Sequence, residues 1–190
     1  MRKVTRYSTP YASKTQLRTL KKIEDELEKE MLKQINIACG CAGIALYENW
    51  GWRSRRIAKL FGEIYDIWKE CTADPKISML EMCENETGLI IDIPEYDGNY
   101  KNLLFFQGST LGLDLDINQR IYMRQRQKKW VGAEIFASVF LALHRLYGFG
   151  GERICRLHEQ VEQIRDKYRW DDKLIADECD RITGVDIQGH

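Results

Sequence analysis

The sequence lacks a long apolar run, an apolar signal-peptide core and a net charge. A membrane-spanning helix needs roughly 18–20 apolar residues, and no run approaches that length. No apolar core follows the basic N-terminus, which disfavours a secretory signal. The formal net charge is zero, so the chain as a whole has no field that would gather nucleic acid or an anionic membrane. We therefore expect a cytoplasmic protein without a membrane partner.

Six cysteines are present, but their spacing fits neither a disulfide framework nor a zinc site. Cys39-Gly40-Cys41 is not a Cys-x-x-Cys pair, and no second pair stands at zinc-ribbon distance. The other four fall on or near apolar helical positions, where free cysteine behaves as a small hydrophobe: Cys71, Cys83, Cys155 and Cys179. We expect buried reduced thiols, no metal and no cofactor.

The sequence also lacks a catalytic set. His144 and His158 have no nearby Cys or Ser partner in the sequence, and we expect them to serve packing. Asp114 and Asp116 could bind a metal, although the entry into a helix explains them equally well. We predict that the chain is not an enzyme, and a metal-dependent enzyme is kept as the last alternative.

An internal repeat is the most informative feature that is present. Segment 45–67 aligns with segment 142–164. The identical pairs are Ala45/Ala142, Leu46/Leu143, Gly51/Gly148, Arg56/Arg153, Ile57/Ile154, Leu60/Leu157 and Ile67/Ile164. After a single slip, Cys83 and Thr87-Gly88 align with Cys179 and Thr183-Gly184. Shared positions indicate what the fold requires, and positions that differ are candidates for function.

Helical periodicity defines the first copy. An apolar stripe predicts one helix over 14–49, with a bend where Gly40 and Gly43 weaken it. The stripe allows pairing with a second chain as a coiled coil, which would make a homodimer, or with the basic fourth helix of the same chain. Gly51 ends the helix.

Two shorter helices complete the first copy. Ser54 is a predicted N-cap for the second helix, which Asp74-Pro75 breaks. Ser78 and Glu81 form a capping-box signature that opens a short third helix, and Gly88 closes it.

The second copy repeats this order. A helix over 117–147 ends at Gly148, another helix follows, and Asp171 or Asp172 caps a last helix that Gly184 ends. The sequence thus predicts a mainly all-α fold, an internally duplicated three-helix unit with pseudo-twofold symmetry.

Four segments follow from this organisation. Residues 1–13 are a flexible basic arm, 14–91 the first helical repeat, 92–110 a connector and 111–190 the second helical repeat. In the connector, apolar runs flank the turn signal Asp97-Gly98-Asn99. That pattern fits either a small β-hairpin or an apolar loop lying across the helices.

The basic cluster of the fourth helix is the first candidate site. Arg120, Arg124 and Lys128 recur every four residues and share one helical stripe, which Arg126 and Lys129 extend. Such a stripe can follow a phosphate backbone or an acidic protein. Its counterpart in the first copy is acidic, over 25–30. The competing interpretation is therefore a solvated face matched to the acidic helix.

A second basic patch comprises Arg53, Arg55, Arg56 and Lys59 at a helix start. Cations there oppose the helix dipole, which suggests a partner. Arg56 and Arg153 take the same place in each copy, where they could hold a carboxylate or carbonyl, or form a symmetric binding surface. The glycines of 148–151 are interpreted as a helix terminator followed by a buried aromatic, and not as a phosphate-binding loop.

The segment 142–156 reads Ala-Leu-His-Arg-Leu-Tyr-Gly-Phe-Gly-Gly-Glu-Arg-Ile-Cys-Arg, and it resembles small helical proteins encoded by phages and prophages of Gram-positive bacteria. The first copy departs from that core, with Tyr47 for the histidine and Arg53 for the second glycine. The resemblance implies a mobile-element protein without an active site, of the kind that blocks host defence enzymes, anti-CRISPR proteins among them.

Two functions follow as expectations. The first is a phage-type binding protein that inhibits a host nucleic-acid-directed defence nuclease through protein–protein interaction in the host cytoplasm. It would use the acidic patches over 25–30 and 84–97, or the basic one over 120–129, to occupy sites meant for nucleic acid or partner domains. Its partner would be a host protein or a protein–nucleic-acid complex. The alternative is a DNA- or RNA-binding accessory protein of a phage or mobile element.

Overall fold

The structure, a computed structural model, describes residues 13–73, 78–91 and 117–187, and these residues contain six helices and no strand. The helices are α1 (Lys14–Trp50), α2 (Ser54–Ala73), α3 (Met79–Thr87), α4 (Ile117–Tyr147), α5 (Gly151–Lys167) and α6 (Asp172–Thr183). The mainly helical fold class is confirmed. Residues 1–12 of the predicted basic arm, the Asp74-Pro75 break and the connector with its hairpin alternative lie outside the described residues.

Both long helices end as the sequence predicts. Gly51 and Gly148 lie in the left-handed region, with φ of 65° and 62°, a conformation that costs glycine little. The next residue in each case folds back against its helix. The Trp52 N–H donates to the Leu46 carbonyl oxygen at 3.0 Å, and Phe149 does the same to the residue aligned with Leu46, at 3.4 Å. Both aromatic side chains are buried, as expected.

The two short helices α3 and α6 also share one C-terminal geometry. Gly88 and Gly184 follow them with φ of 73° and 66°. The hydroxyl of the preceding threonine, Thr87 or Thr183, donates to the carbonyl four residues earlier and accepts the N–H two residues later. This hydroxyl satisfies backbone groups that the helix end leaves open.

The predicted helix starts are partly confirmed. Ser78 accepts the Glu81 N–H at 3.4 Å, and Asp171 accepts the N–H groups of the second and third residues after it, at 3.1 and 3.0 Å. The prediction for Ser54 is wrong, because α2 begins at Ser54 itself. Its hydroxyl donates instead to the Thr183 carbonyl oxygen. It therefore links the start of α2 to the end of α6.

Helices α1 and α4 lie side by side and run parallel. Near their starts, Gln16 Nε2 donates to Asn118 Oδ1 at 3.1 Å. Their ends meet where the rings of Trp50 and Phe149 lie 5.1 Å apart. Residue numbers therefore rise together along both helices. Of the two partners considered for the long first helix, the structure places the fourth helix of the same chain beside it.

The shorter helices pack across the two halves of the chain. Helix α1 packs against α5 and α6, α4 packs against α2 and α3, and α1 contacts α2 only sparsely. The Arg145 guanidinium on α4 binds Glu70 of α2 at 2.9 Å and Glu86 of α3 at 2.7 Å. One hydrophobic core contains buried side chains from all six helices. No described helix combines the length and apolar character that crossing a membrane requires.

Gly40 and Gly43 have a packing role within an uninterrupted helix. A Cβ atom on Gly40 would lie 2.5 Å from Ile175 Cγ2, and one on Gly43 would lie 2.7 Å from Cys179 Sγ. Both distances are far shorter than ordinary van der Waals contact. The glycines therefore allow α6 to approach the backbone of α1, and α1 continues through them to Trp50.

Most of the cysteines are buried thiols, as expected. Burial raises the pKa of Cys39 and Cys41 to about 12 and that of Cys71 and Cys179 to about 11. A thiol reacts as the thiolate, so these groups are chemically quiet at neutral pH. The expectation of burial is wrong for Cys155, which is exposed on α5, because it lies beside the buried row of that helix.

Candidate binding surfaces

The basic stripe of α4 faces the acidic part of α1 in the same chain. Lys128 Nζ lies 3.0 Å from Glu26 Oε2, and Arg124 Nε lies 4.0 Å from Glu24 Oε1. The hydrogen bond from Lys128 lowers the pKa of Glu26. The parallel course of α1 and α4 brings these opposite charges together. Two of the predicted site residues are thus engaged within the chain.

For the other three members of this stripe, the structure describes the side chain of Arg120 only. Arg120 has a buried Nε with no hydrogen-bond partner among the described residues. The side chains of Arg126 and Lys129 lie outside the described part of the chain. The stripe therefore offers a partner fewer unmatched cations than the sequence alone indicates.

A second group of cations lies where the C-terminal ends of α1 and α4 meet. Four arginines from α2, α5 and the loop before α2 place their guanidinium groups over aromatic rings. We call this the arginine–aromatic surface, and its members are Arg53, Arg56, Arg153 and Arg156 with Tyr47, Trp50, Trp52, Tyr147 and Phe149. Residues that align between segments 45–67 and 142–164 therefore lie together at this one end of the molecule.

Arg56 has the most extensive stacking in this surface. Its guanidinium carbon lies 4.8 Å from the centroid of the Trp52 ring and 5.0 Å from that of Tyr147. The Tyr147 hydroxyl donates to the Arg56 carbonyl oxygen at 3.1 Å, which fixes the ring. The expectation that Arg56 and Arg153 bind a carboxylate or carbonyl is not met among the described residues. Both stack on aromatic rings instead.

The remaining arginine–ring distances follow the same pattern. Arg53 lies 5.1 Å from the Tyr47 ring, and Arg153 lies 5.8 Å from the Phe149 ring. Arg156 lies 5.7 Å from the ring of Trp50, whose indole N–H donates to Gln160 at 2.8 Å. The rings contact each other across the two halves, with Trp52 and Tyr147 centroids 4.5 Å apart. The arginines therefore stand on a connected aromatic base.

This surface keeps its positive charge unmatched within the described residues. The four arginines and Arg55 are exposed, and none forms an ion pair with a described carboxylate. Stacking uses the flat face of a guanidinium, while its N–H edge recognises carboxylate or phosphate in a bidentate manner. Preorganised arginines of this kind suit the binding of an anionic partner.

The sequence identified part of this surface. It singled out Arg53, Arg55 and Arg56 as a patch and Arg153 as the counterpart of Arg56, but it missed Arg156 as a member. The alignment carried the signal, since Arg156 aligns with Lys59. The sequence could not show that the loops after Gly51 and Gly148 lie at the same end of the molecule.

A cleft of about 610 Å³ opens between α4 and α5. Phe136, Phe140 and Ile154 form part of its apolar lining. Its polar lining includes a row on α5 and two further side chains: His158, Glu162, Arg165, Gln34 and Trp170. We call it the α4–α5 cleft.

The polar row of this cleft is connected. Arg165 Nη2 donates to Glu162 Oε2, and Glu162 Oε1 lies 3.8 Å from His158 Nε2. The Arg165 Nε atom is buried and has no hydrogen-bond partner among the described residues. Burial, together with the nearby Arg165 charge, lowers the pKa of His158 below its usual 6.5. The imidazole is therefore uncharged at neutral pH.

Two residues at the mouth of the cleft have unusual backbone conformations. Arg169 and Trp170 have φ of 53° and 61°, in the left-handed region that side chains disfavour by roughly 1–2 kcal/mol per residue. This turn places the Trp170 ring 3.5 Å from the Arg165 guanidinium carbon. Such local strain concentrates at functional sites, which makes the cleft a second candidate.

The two helical histidines have structural partners. His144 Nδ1 lies 2.9 Å from the Phe149 carbonyl oxygen, and the His158 ring makes edge contacts with Phe136 and Phe140. Among the described residues, no group of three or more His, Cys, Asp or Glu side chains is placed to hold a metal ion. Asp114 and Asp116 lie outside those residues.

A scan against protein-family models, a search of curated proteins and a search of solved structures each give no match to the chain.

Proposed function

We propose that this chain is a non-enzymatic binding protein of a phage or mobile element that inhibits a host nucleic-acid-directed defence nuclease. The arginine–aromatic surface is the part that contacts the target. One observation carries this assignment: four exposed arginines are held on aromatic rings with no carboxylate partner among the described residues. The mobile-element context comes from the resemblance of segment 142–156 to phage-encoded proteins.

The chemistry of such a target fits this surface. Metal-dependent nucleases use ions such as Mg²⁺, which carboxylates bind, and a guanidinium fork pairs with carboxylates in a bidentate manner. Charge complementarity mainly sets association rate and selectivity. The arginines would therefore occupy an acidic region of the nuclease that its substrate or a partner domain needs.

The first test reverses charge at the two aligned arginines. Arg56→Glu combined with Arg153→Glu should weaken inhibition of the target nuclease at least about tenfold, a loss of about 1.4 kcal/mol in binding. Cleavage assays with purified defence nucleases measure this directly. Lys21→Glu combined with Lys33→Glu makes the same change in net charge on exposed residues of α1 and should leave inhibition unchanged.

A further variant separates the effect of charge from that of guanidinium geometry. Arg56→Lys combined with Arg153→Lys keeps the charge and loses the planar fork, so we expect intermediate inhibition. Circular dichroism confirms that each variant is folded. Full inhibition by the Arg56→Glu, Arg153→Glu protein would exclude this surface as the contact. Absence of inhibition and of binding across the nucleases would exclude the function.

Direct binding of DNA or RNA is the second candidate, and the aromatic base of the surface favours it. Exposed guanidinium groups suit a phosphate backbone and can stack on its bases. The site would be the arginine–aromatic surface, because Arg124 and Lys128 of the α4 stripe face Glu24 and Glu26. This candidate predicts a mobility shift with nucleic acid alone that weakens steeply with salt.

We also propose that the two halves are copies of one three-helix unit, related by a pseudo-twofold axis that runs along α1 and α4. The shared geometry at Gly51/Gly148 and at Thr87/Thr183 supports this origin. The crossed packing of the short helices supports it too, since a dimer of one unit that exchanges its short helices would pack in this way.

A further inference from the structure

The two halves each form a cleft between the long helix and the helix that follows it. The first lies between α1 and α2, has a volume of about 310 Å³, and is lined by Phe61, Tyr65 and Trp68. The second is the α4–α5 cleft, about twice as large. The alignment that relates the halves places the aromatic row of the first cleft opposite the polar row of the second.

The polar row of the second cleft lowers the stability of the protein. The aromatic row at the aligned positions of the first cleft shows that the fold does not require it. In the first cleft, the Trp68 indole N–H donates to Ser138 Oγ at 3.2 Å. In the second, Arg165 replaces Trp68 and Cys41 replaces Ser138, and the Arg165 Nε is buried without a partner among the described residues. A buried donor without an acceptor lowers stability, because it loses its hydrogen bonds to water and gains none in the protein. The aromatic row packs without that cost.

The strained turn at Arg169 and Trp170 is a second, independent observation. It sets the indole over Arg165 at the rim of the same cleft. The turn and the unpartnered Nε both lower stability, and both lie at the edge of the larger cleft. Their coincidence at one cleft is the reason for treating it as a candidate ligand site.

We propose that the α4–α5 cleft binds a neutral, planar ring compound that carries an amino group, the chemical class of the amino-bearing nucleobases. The ring packs against Phe136 and Phe140, and the amino group donates to the Glu162 carboxylate, as carboxylates do toward base amines. Gln34 offers a further amide at the rim. This inference rests on the proposed duplication and is independent of the nuclease target.

The size and charge of the cleft fit this class. Its volume of about 610 Å³ lies within the roughly 300–1,000 Å³ of small-molecule sites, which are mostly apolar with a few placed polar groups. Arg165 neutralises Glu162 and His158 is uncharged, so the described lining has no net charge to attract an anion. An anionic ligand would also meet the Glu162 carboxylate.

The test uses the full chain with defined probes. Calorimetry and ligand-detected NMR should show binding of adenosine and cytidine, with uridine and benzoate at least about tenfold weaker, or 1.4 kcal/mol. A short single-stranded deoxyadenosine oligomer then identifies the source of the base. Competition with adenosine indicates exposed bases of a nucleic acid, and its absence indicates a free nucleoside. If neither adenosine nor cytidine binds, the proposal is wrong.

The matched variant rebuilds the first cleft inside the second. His158→Phe, Glu162→Tyr and Arg165→Trp together should reduce adenosine binding at least about tenfold without lowering the unfolding temperature. Glu162→Gln is the single conservative variant and should also weaken binding, while Tyr65→Glu in the other cleft should not. Equal adenosine binding by the wild type, the triple variant and Glu162→Gln would overturn the assignment.

Discussion

Gly40→Ala is expected to destabilise the protein by about 1–3 kcal/mol, the usual cost of overpacking a core. The added Cβ would lie 2.5 Å from Ile175 Cγ2 and 3.4 Å from the Ile175 carbonyl oxygen. Helix α6 must therefore move away from α1, and its buried side chains lose contacts with the core. Equilibrium unfolding in urea measures the change through the midpoint at constant slope.

Gly62 provides the matched control. It lies in the interior of α2, where an added Cβ meets no atom within 4 Å. Gly62→Ala should therefore stabilise the protein by about 0.5–1 kcal/mol, the helix-propensity difference between glycine and alanine. Opposite signs at two helical glycines are the expected result. The same sign at both positions would contradict the packing role of Gly40.

Glu134 should make the protein less stable as the pH rises from about 4.5 to about 8. The side chain lies on α4 and is only 2% exposed, and its Oε2 has no hydrogen-bond partner among the described residues. Burial raises its pKa from 4.5 to about 8. In this window the unfolded chain loses the Glu134 proton while the folded chain retains it, so the free energy of unfolding falls.

Glu134→Gln isolates this contribution. At about 1.4 kcal/mol per pKa unit, we expect the amide to stabilise the protein by about 2–4 kcal/mol at pH 8 and to have little effect at pH 4.5. Urea unfolding of both proteins across this range gives the difference, in which other titrating groups cancel. Burial, with a smaller contribution from the Glu134 charge, raises the pKa of Cys71. The Cys71 thiol therefore stays protonated over this pH range. A difference that does not change with pH would show that Glu134 has an ordinary pKa.

The helix boundaries could be predicted because their chemistry is local. Glycine at a left-handed position, as at Gly51 and Gly184, and a side-chain acceptor at Asp171 act through atoms only a few residues away. The sequence therefore contains all the information that these ends require. Ser54 shows the limit, because its hydroxyl binds a carbonyl 129 positions along the chain that no local pattern reveals.

The packing of helices could not be predicted in the same way. Periodicity shows that α1 has an apolar face, but it does not show that the face receives α5 and α6 in preference to α2. Gly40 and Gly43 illustrate the difference. By propensity they weaken a helix, whereas their role depends on the distance to Ile175 and Cys179.

The candidate sites show the same contrast between local sequence patterns and tertiary packing. The opposite charges of residues 25–30 and the α4 stripe were visible in the sequence, and so was the alternative that they face each other. The arginine–aromatic surface was visible only as separate arginines, because stacking depends on which rings the fold brings near. The α4–α5 cleft was not predicted, because no sequence pattern indicates empty space between two helices.

The crossed packing of the helices has a consequence for synthesis of the chain on the ribosome. Helix α1 buries its core face against α4, α5 and α6, which are all translated long after it. At about 5–20 residues per second, the apolar stripe of α1 waits roughly ten seconds for α6 to appear. Native structure in the first half therefore forms only after most of the chain has left the ribosome. Until then the nascent chain presents an amphipathic helix to chaperones.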